Sequence, residues 1–148
     1  MTAIHITFPK GALHLHLGAP LSEVEPLLSA FHTETDIDPQ LTRTHIILPG
    51  DGAELLFKDG SLATVFLFLT PTADHPAPFA GETDLLGPTF FADPQPEHFT
   101  QILDAEGFYA PPRSYPFATD RLSDTLRLRL ETRPDQVMIM IDDGARIR

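Results

Sequence analysis

Apolar and polar residues alternate over residues 12–17 (Ala-Leu-His-Leu-His-Leu), the two-residue period of a strand with one buried face. Residues 4–8 supply a hairpin partner across Pro9, Lys10 and Gly11. The period then changes. Val24, Leu27, Leu28 and Phe31 fall on one helical stripe. Ser22 followed by Glu25 has the capping-box form that starts a helix. Pro26 sits near the first turn, where a missing N–H costs little. The acidic stretch 34–39 (Glu-Thr-Asp-Ile-Asp-Pro) is expected to end this helix as a loop.

Three strands are predicted next, at 44–48, 53–58 and 61–70. They are separated by Pro-Gly-Asp-Gly (49–52) and Asp-Gly (59–60), and Asp-Gly between apolar runs signals a tight hairpin. Residues 65–69 (Val-Phe-Leu-Phe-Leu) are apolar on both faces, so this strand belongs in the middle of a sheet. Residues 71–88 are rich in Pro, Ala, Gly and Asp and read as an ordered crossing loop, anchored by Phe79, Leu85 and Leu86.

The second half repeats the order. Residues 89–91 (Thr-Phe-Phe) predict a short strand. Asp93 and Pro94 predict a helix start. Phe99, Ile102 and Leu103 form the apolar stripe, and Gly107 fits the position after the helix end. Strands are predicted at 115–119, 125–131 and 136–142. The expected fold is therefore α+β, a tandem duplication of a strand–helix–three-strand unit. A mainly antiparallel sheet carries one helix per unit. A single domain would hold both units, 1–70 and 89–148, joined by the crossing loop 71–88. Each unit is too small to bury both faces of its last strand alone.

Charge adds a second layer. The chain of 148 residues has 21 carboxylates against 10 Lys and Arg, a net charge of −11. Residues 1–112 hold 15 of the acids and 3 of the bases; residues 59–112 hold eight acids and no Lys or Arg. Such a field repels nucleic acid and attracts basic proteins or cations. Turns and helix N-termini account for part of it: Asp51, Asp59, Asp142 and Asp143 lie at turns, and Glu23, Glu25 and Asp93 at helix starts. Solubility alone is a competing account of the rest. The absence of cysteine removes thiol chemistry and fits a reducing compartment. No run suits a signal peptide or a membrane span, so a cytoplasmic protein is expected, with no membrane partner.

Candidate chemistry is sparse. His14 and His16 put two imidazoles on one side of a strand, a usable metal geometry, but no third ligand has a fixed spacing to them. Glu34, Asp36 and Asp38 alternate like cation-loop ligands, yet Pro39 and His45 stand where an EF-hand needs Gly and Glu. No serine lies in a nucleophile elbow and no Gly-rich phosphate loop is present. Arg127 and Arg129 share a strand face and read as solvated. No cofactor is implied, and the chain does not read as an enzyme.

The Gly-x-Leu-x-Leu-x-Leu-Gly start (11–18), the following amphipathic helix, the 51–62 segment (Asp-Gly-Ala-Glu-Leu-Leu-Phe-Lys-Asp-Gly-Ser-Leu) with its Phe-rich strand, and 79–88 (Phe-Ala-Gly-Glu-Thr-Asp-Leu-Leu-Gly-Pro) resemble, at the level of fold, small bacterial immunity proteins encoded beside polymorphic or contact-dependent toxins. The resemblance implies an inhibitor that binds a cognate toxin, with no catalytic residue. A basic nuclease cleft would suit an acidic binder. Two surfaces are the candidates: the first helix with its following loop (Glu23, Glu25, Glu34, Asp36, Asp38), and the crossing loop (Asp74, Glu82, Asp84). The competing classes are a metal-dependent or other small enzyme using His14 and His16, and an assembly domain that homo-oligomerises through a sheet edge.

Overall fold

The fold is described from a computed structural model covering residues 2–144; residue 1 and residues 145–148, the outer ends of the two expected units, lie outside the described residues. It opens with a hairpin, β1 (Ala3–Phe8) and β2 (Gly11–His16), paired from Ala3↔His16 to Phe8↔Gly11. A short helix α1 (Leu21–Val24) runs into a 3₁₀ turn (Glu25–Leu28). Four antiparallel strands follow: β3 (Glu34–Asp38), β4 (Arg43–Leu48), β5 (Ala53–Lys58) and β6 (Ser61–Phe68). The crossing segment contributes β7 (Glu82–Thr83), and helices α2 (Gly87–Ala92) and α3 (Pro96–Ala105) come next. The chain closes with β8 (Ala118–Leu122), β9 (Leu126–Arg133) and β10 (Gln136–Asp143).

Two sheets result. The smaller has the order β2-β1-β7, the larger β3-β4-β5-β6-β10-β9-β8. The fold is thus α+β with antiparallel sheets. The strand at 61–68 lies in the middle of the large sheet, where its two apolar faces require it. It pairs with β10 from Thr64↔Asp142 to Phe68↔Met138. Asp59 and Gly60 both take positive φ (51° and 79°), the backbone of a tight hairpin whose twist matches its strands.

Strand alternation sorts the large sheet into two faces. One carries Ile46, Leu48, Leu55, Phe57, Val65, Leu67, Ile139, Ile141, Leu128 and Leu130, all buried. These join one apolar cluster with Ile4, Ile6, Leu13 and Leu15 of the hairpin and with Val24, Leu28, Phe90, Phe99 and Leu103 of the helical segments. The core therefore sits between the inner face of the large sheet, the small sheet and the helices. The opposite face of the large sheet is mixed and half-open.

Several expectations need correction. Residues 34–38 are not a helix-ending loop but a strand, because their two-residue alternation pairs with β4 from Glu34↔Ile47 to Asp38↔Arg43. Residues 89–91 are helical: Pro88 sits in the first turn of α2, which points Phe90 into the core. Asp93 ends α2 rather than starting the next helix; Gln95 caps α3 and Pro96 opens it. Ser22 lies inside α1, whose N-cap is Pro20. Backbone bonds Gly18 N–H to Leu62 O and Leu21 N–H to Gly60 O fix the chain against β6 there, so anchoring, not the capping box, sets the start. The predicted strand at 115–119 begins later, at Ala118. Gly107, at φ 88°, does follow the end of α3. Asp142 and Asp143 belong to β10, not to a turn.

Candidate partner-binding surface

The eight candidate carboxylates fall on four parts of the fold. Glu23 lies in α1 and Glu25 in the 3₁₀ turn, both exposed. Glu82 and the exposed Asp84 go with the small sheet, where β7 pairs Thr7↔Glu82 and the Asp84 N–H donates to His5 O. Glu34, Asp36 and Asp38 share one face of β3. Asp74 is exposed in the loop after β6. Glu23, Glu25 and Glu82 belong to elements other than β3, and Asp84 follows β7.

A chain of side chains leads from β4, the neighbour of β3, to His75, which follows Asp74. The cross-strand register places His45 beside Asp36 and Glu54 beside Ile47, which itself stands beside Glu34. His45 Nδ1 lies 2.7 Å from Glu54 Oε2. On the other side of the same carboxylate, His75 Nε2 lies 3.4 Å from Oε1. His75 is 2% exposed. Its ring stacks on Phe68 with centroids 4.0 Å apart, and Thr72 Oγ1 is 3.0 Å from its Nδ1. The loop is thus clamped onto the open face, with Asp74 at its rim. Burial lowers the His75 pKa below its ordinary value; the charges of Glu54 and Asp74 and the backbone of Ala53 oppose the shift only in part. Its Nε2 has no well-formed hydrogen bond, so a neutral imidazole is the better tenant of this pocket.

None of His45, Glu54 or His75 stands out in the sequence. They are 9 and 21 positions apart, and only the β4–β5 pairing and the loop's return bring them together. A periodicity argument could have put His45 and Glu54 on the outer face of their strands; nothing in the sequence places His75.

The far end of the open face is charged but neutralised. Arg129 makes two hydrogen bonds to Asp120, of 2.7 and 2.9 Å, and Arg127 two to Asp142, of 2.9 and 2.5 Å. Hydrogen bonding to Asp120 raises the Arg129 pKa further, against desolvation. These arginines are half-buried pair members and not a solvated stripe. A cavity of about 330 Å³ lies beside them, lined by Arg113 and Tyr115. Exposed Tyr115 and Phe117 lie against Arg129 and Arg133 at 5.4 and 6.0 Å.

Asp51 is a turn residue, as expected, yet it is buried, with Lys10 Nζ 3.5 Å away. His14 meets His5 of the neighbouring strand. Among the described residues no group of three or more His, Cys, Asp or Glu side chains is placed to hold a metal ion. Among the described residues no helix is long and apolar enough to cross a membrane.

Comparison with protein-family models, with curated proteins and with solved structures finds no match to this chain.

Proposed function

We propose that this chain binds and neutralises a basic protein, in the manner of immunity proteins encoded beside bacterial toxins, with a nuclease as the partner class. One observation supports this above the others: Glu34, Asp36 and Asp38 project from one face of a strand exposed along most of its length. Strand spacing holds alternate side chains about 7 Å apart, so three carboxylates form a row and not a diffuse cloud. A row of fixed negative charge steers a basic surface and sets its register. Binding, not catalysis, is the role it suits.

The test is association with a basic toxin domain, sought first in the product of an adjacent gene. The on-rate should fall about tenfold or more when salt rises from about 50 to about 500 mM, as screening shortens the reach of the charges. A Glu34→Gln/Asp36→Asn/Asp38→Asn variant should start slower and respond less to salt. A salt-insensitive on-rate, or an unaffected variant, counts against the acidic surface.

The same reading takes the chain as a tandem duplication. What supports it is the antiparallel meeting of β6 and β10, the last strand of each half, about Leu67 and Ile139. The halves have diverged elsewhere, since the β1–β2 hairpin and β3 have no strand counterparts before β8. A fragment of residues 1–88 is expected to dimerise through β6; a monomeric fragment speaks against duplication from a self-pairing ancestor.

A further inference from the structure

The strand that carries the acidic row is also the last strand of the large sheet. Among the described residues, β3 is paired on one side, with β4. An edge strand leaves every second N–H and C=O of its free side open to a further strand. The other end of this sheet is partly closed: Tyr109 and Leu122 exchange two backbone hydrogen bonds of 2.8 Å alongside β8. Of the two edges of the small sheet, β2 carries no carboxylate, and β7 offers two residues with the single carboxylate of Glu82.

β3 differs from an ordinary edge in its exposure. Thr35 and Ile37, on the face opposite the acids, are exposed as well, Ile37 at 63%. Leu41, in the turn that follows, is 57% exposed. The strand therefore overhangs the core and is open on both faces and on one edge. Asp38 has a further local task, accepting the N–H groups of Gln40 and Leu41 at 3.1 and 3.3 Å. Glu34 has His32 at 3.8 Å.

Charge decides which strand can be added. In an antiparallel pair of two copies centred on Asp36, Glu34 would face Asp38 and Asp36 would face itself. Like charges directly opposite are destabilising, so the row works against self-pairing. A basic strand meets the opposite situation.

We infer that β3 receives an extended basic segment of the partner as an eighth strand of the large sheet. This rests on the reading of the chain as a binder of basic proteins and specifies how the contact is made. Register then dictates the segment: Lys or Arg at alternate positions opposite Glu34, Asp36 and Asp38, with apolar residues between them opposite Thr35 and Ile37. Backbone hydrogen bonds hold the segment and the alternate side chains select it. The five residues of β3 allow about five residues of pairing, some 17 Å of strand.

The experiment uses the whole chain and three synthetic peptides of about seven residues, enough to cover β3. The first alternates Lys and Val. The second has the same charge but a central Pro, which removes a donor and breaks extended pairing. The third replaces Lys by Glu. The alternating basic peptide should bind, the Pro-containing peptide about tenfold or more weaker, and the acidic one not at all. Amide exchange at alternate positions of residues 34–38 should slow about tenfold or more with the first peptide only. Equal binding of both basic peptides, abolished in Glu34→Gln/Asp36→Asn/Asp38→Asn, overturns strand addition and leaves the acidic surface standing. Indifference of both basic peptides to that variant overturns the acidic surface too. Failure of the alternating peptide to bind, or unchanged exchange on β3 with it bound, also overturns strand addition.

Discussion

Leu67 and Ile139 stand opposite each other where the two halves meet, and both are fully buried. Directly opposed side chains across an antiparallel pair have Cβ atoms about 4.5–5.5 Å apart, so removing either opens the same space. Leu67→Ala should cost about 3 kcal/mol, within the range of about 2–5 kcal/mol for emptying a sealed core site. Ile139→Ala should cost a similar amount. Against a domain stability of about 5–15 kcal/mol, either change is serious and should lower Tm by about 6–12 °C for a chain of this size. The two losses should not add. One enlarged cavity replaces two, and the double variant should depart from the sum by about 0.5 kcal/mol or more. Urea unfolding followed by tyrosine fluorescence and by far-UV circular dichroism provides the assay. Both probes should report one transition in the parent and in the three variants. Two separated transitions, or additivity within about 0.3 kcal/mol, would refute the picture of two halves closing over one shared core.

Other consequences are as direct. Asp120→Ala strands the Arg129 guanidinium, whose side chain is 21% exposed, and should cost about 2–3 kcal/mol, less than a fully buried pair; replacing both residues by Ala should cost less than Asp120→Ala alone, and a larger loss contradicts the pairing argument. His75 has a lowered pKa in the fold, so the unfolded chain takes up its proton first as pH falls below about 6.5. The stability His75 contributes is thus present above that pH and lost as pH drops through its folded value. In His75→Gln the slope of stability between about pH 7 and pH 5 should flatten; an unchanged slope removes His75 as its source. Gly81→Ala would drive a Cβ into the carbonyl of Thr7 and should detach the crossing segment from β1, seen as accelerated amide exchange at residues 82–84. Unaltered exchange there would contradict that close approach.

Much of the fold can be read along the chain because long apolar periods leave few choices. The residues of β5 appear in the sequence as a mostly apolar run between two Gly-containing turns, and β6 shows its central place by being apolar on both sides. The failures cluster where periods are short. Residues 34–38 alternate as a strand should, but carboxylates mask the pattern, and only pairing with β4 resolves it. Residues 89–91 are too few to distinguish a strand from a helical turn, and Phe90 satisfies the core from α2. The acidic row was legible as spacing, though not as a strand. The His45–Glu54–His75 contact was not legible at all, since it depends on cross-strand register and on where a proline-rich loop returns.

If the carboxylates of β3 bind a basic partner, their charge sets how fast the two associate. The most direct measurement is the association rate with a basic protein captured by the parent chain, taken across a salt series for the parent and for Glu34→Gln/Asp36→Asn/Asp38→Asn. The parent's rate should fall steeply with salt, and the variant should associate more slowly with a flatter dependence. Two superimposable, salt-insensitive curves would contradict this.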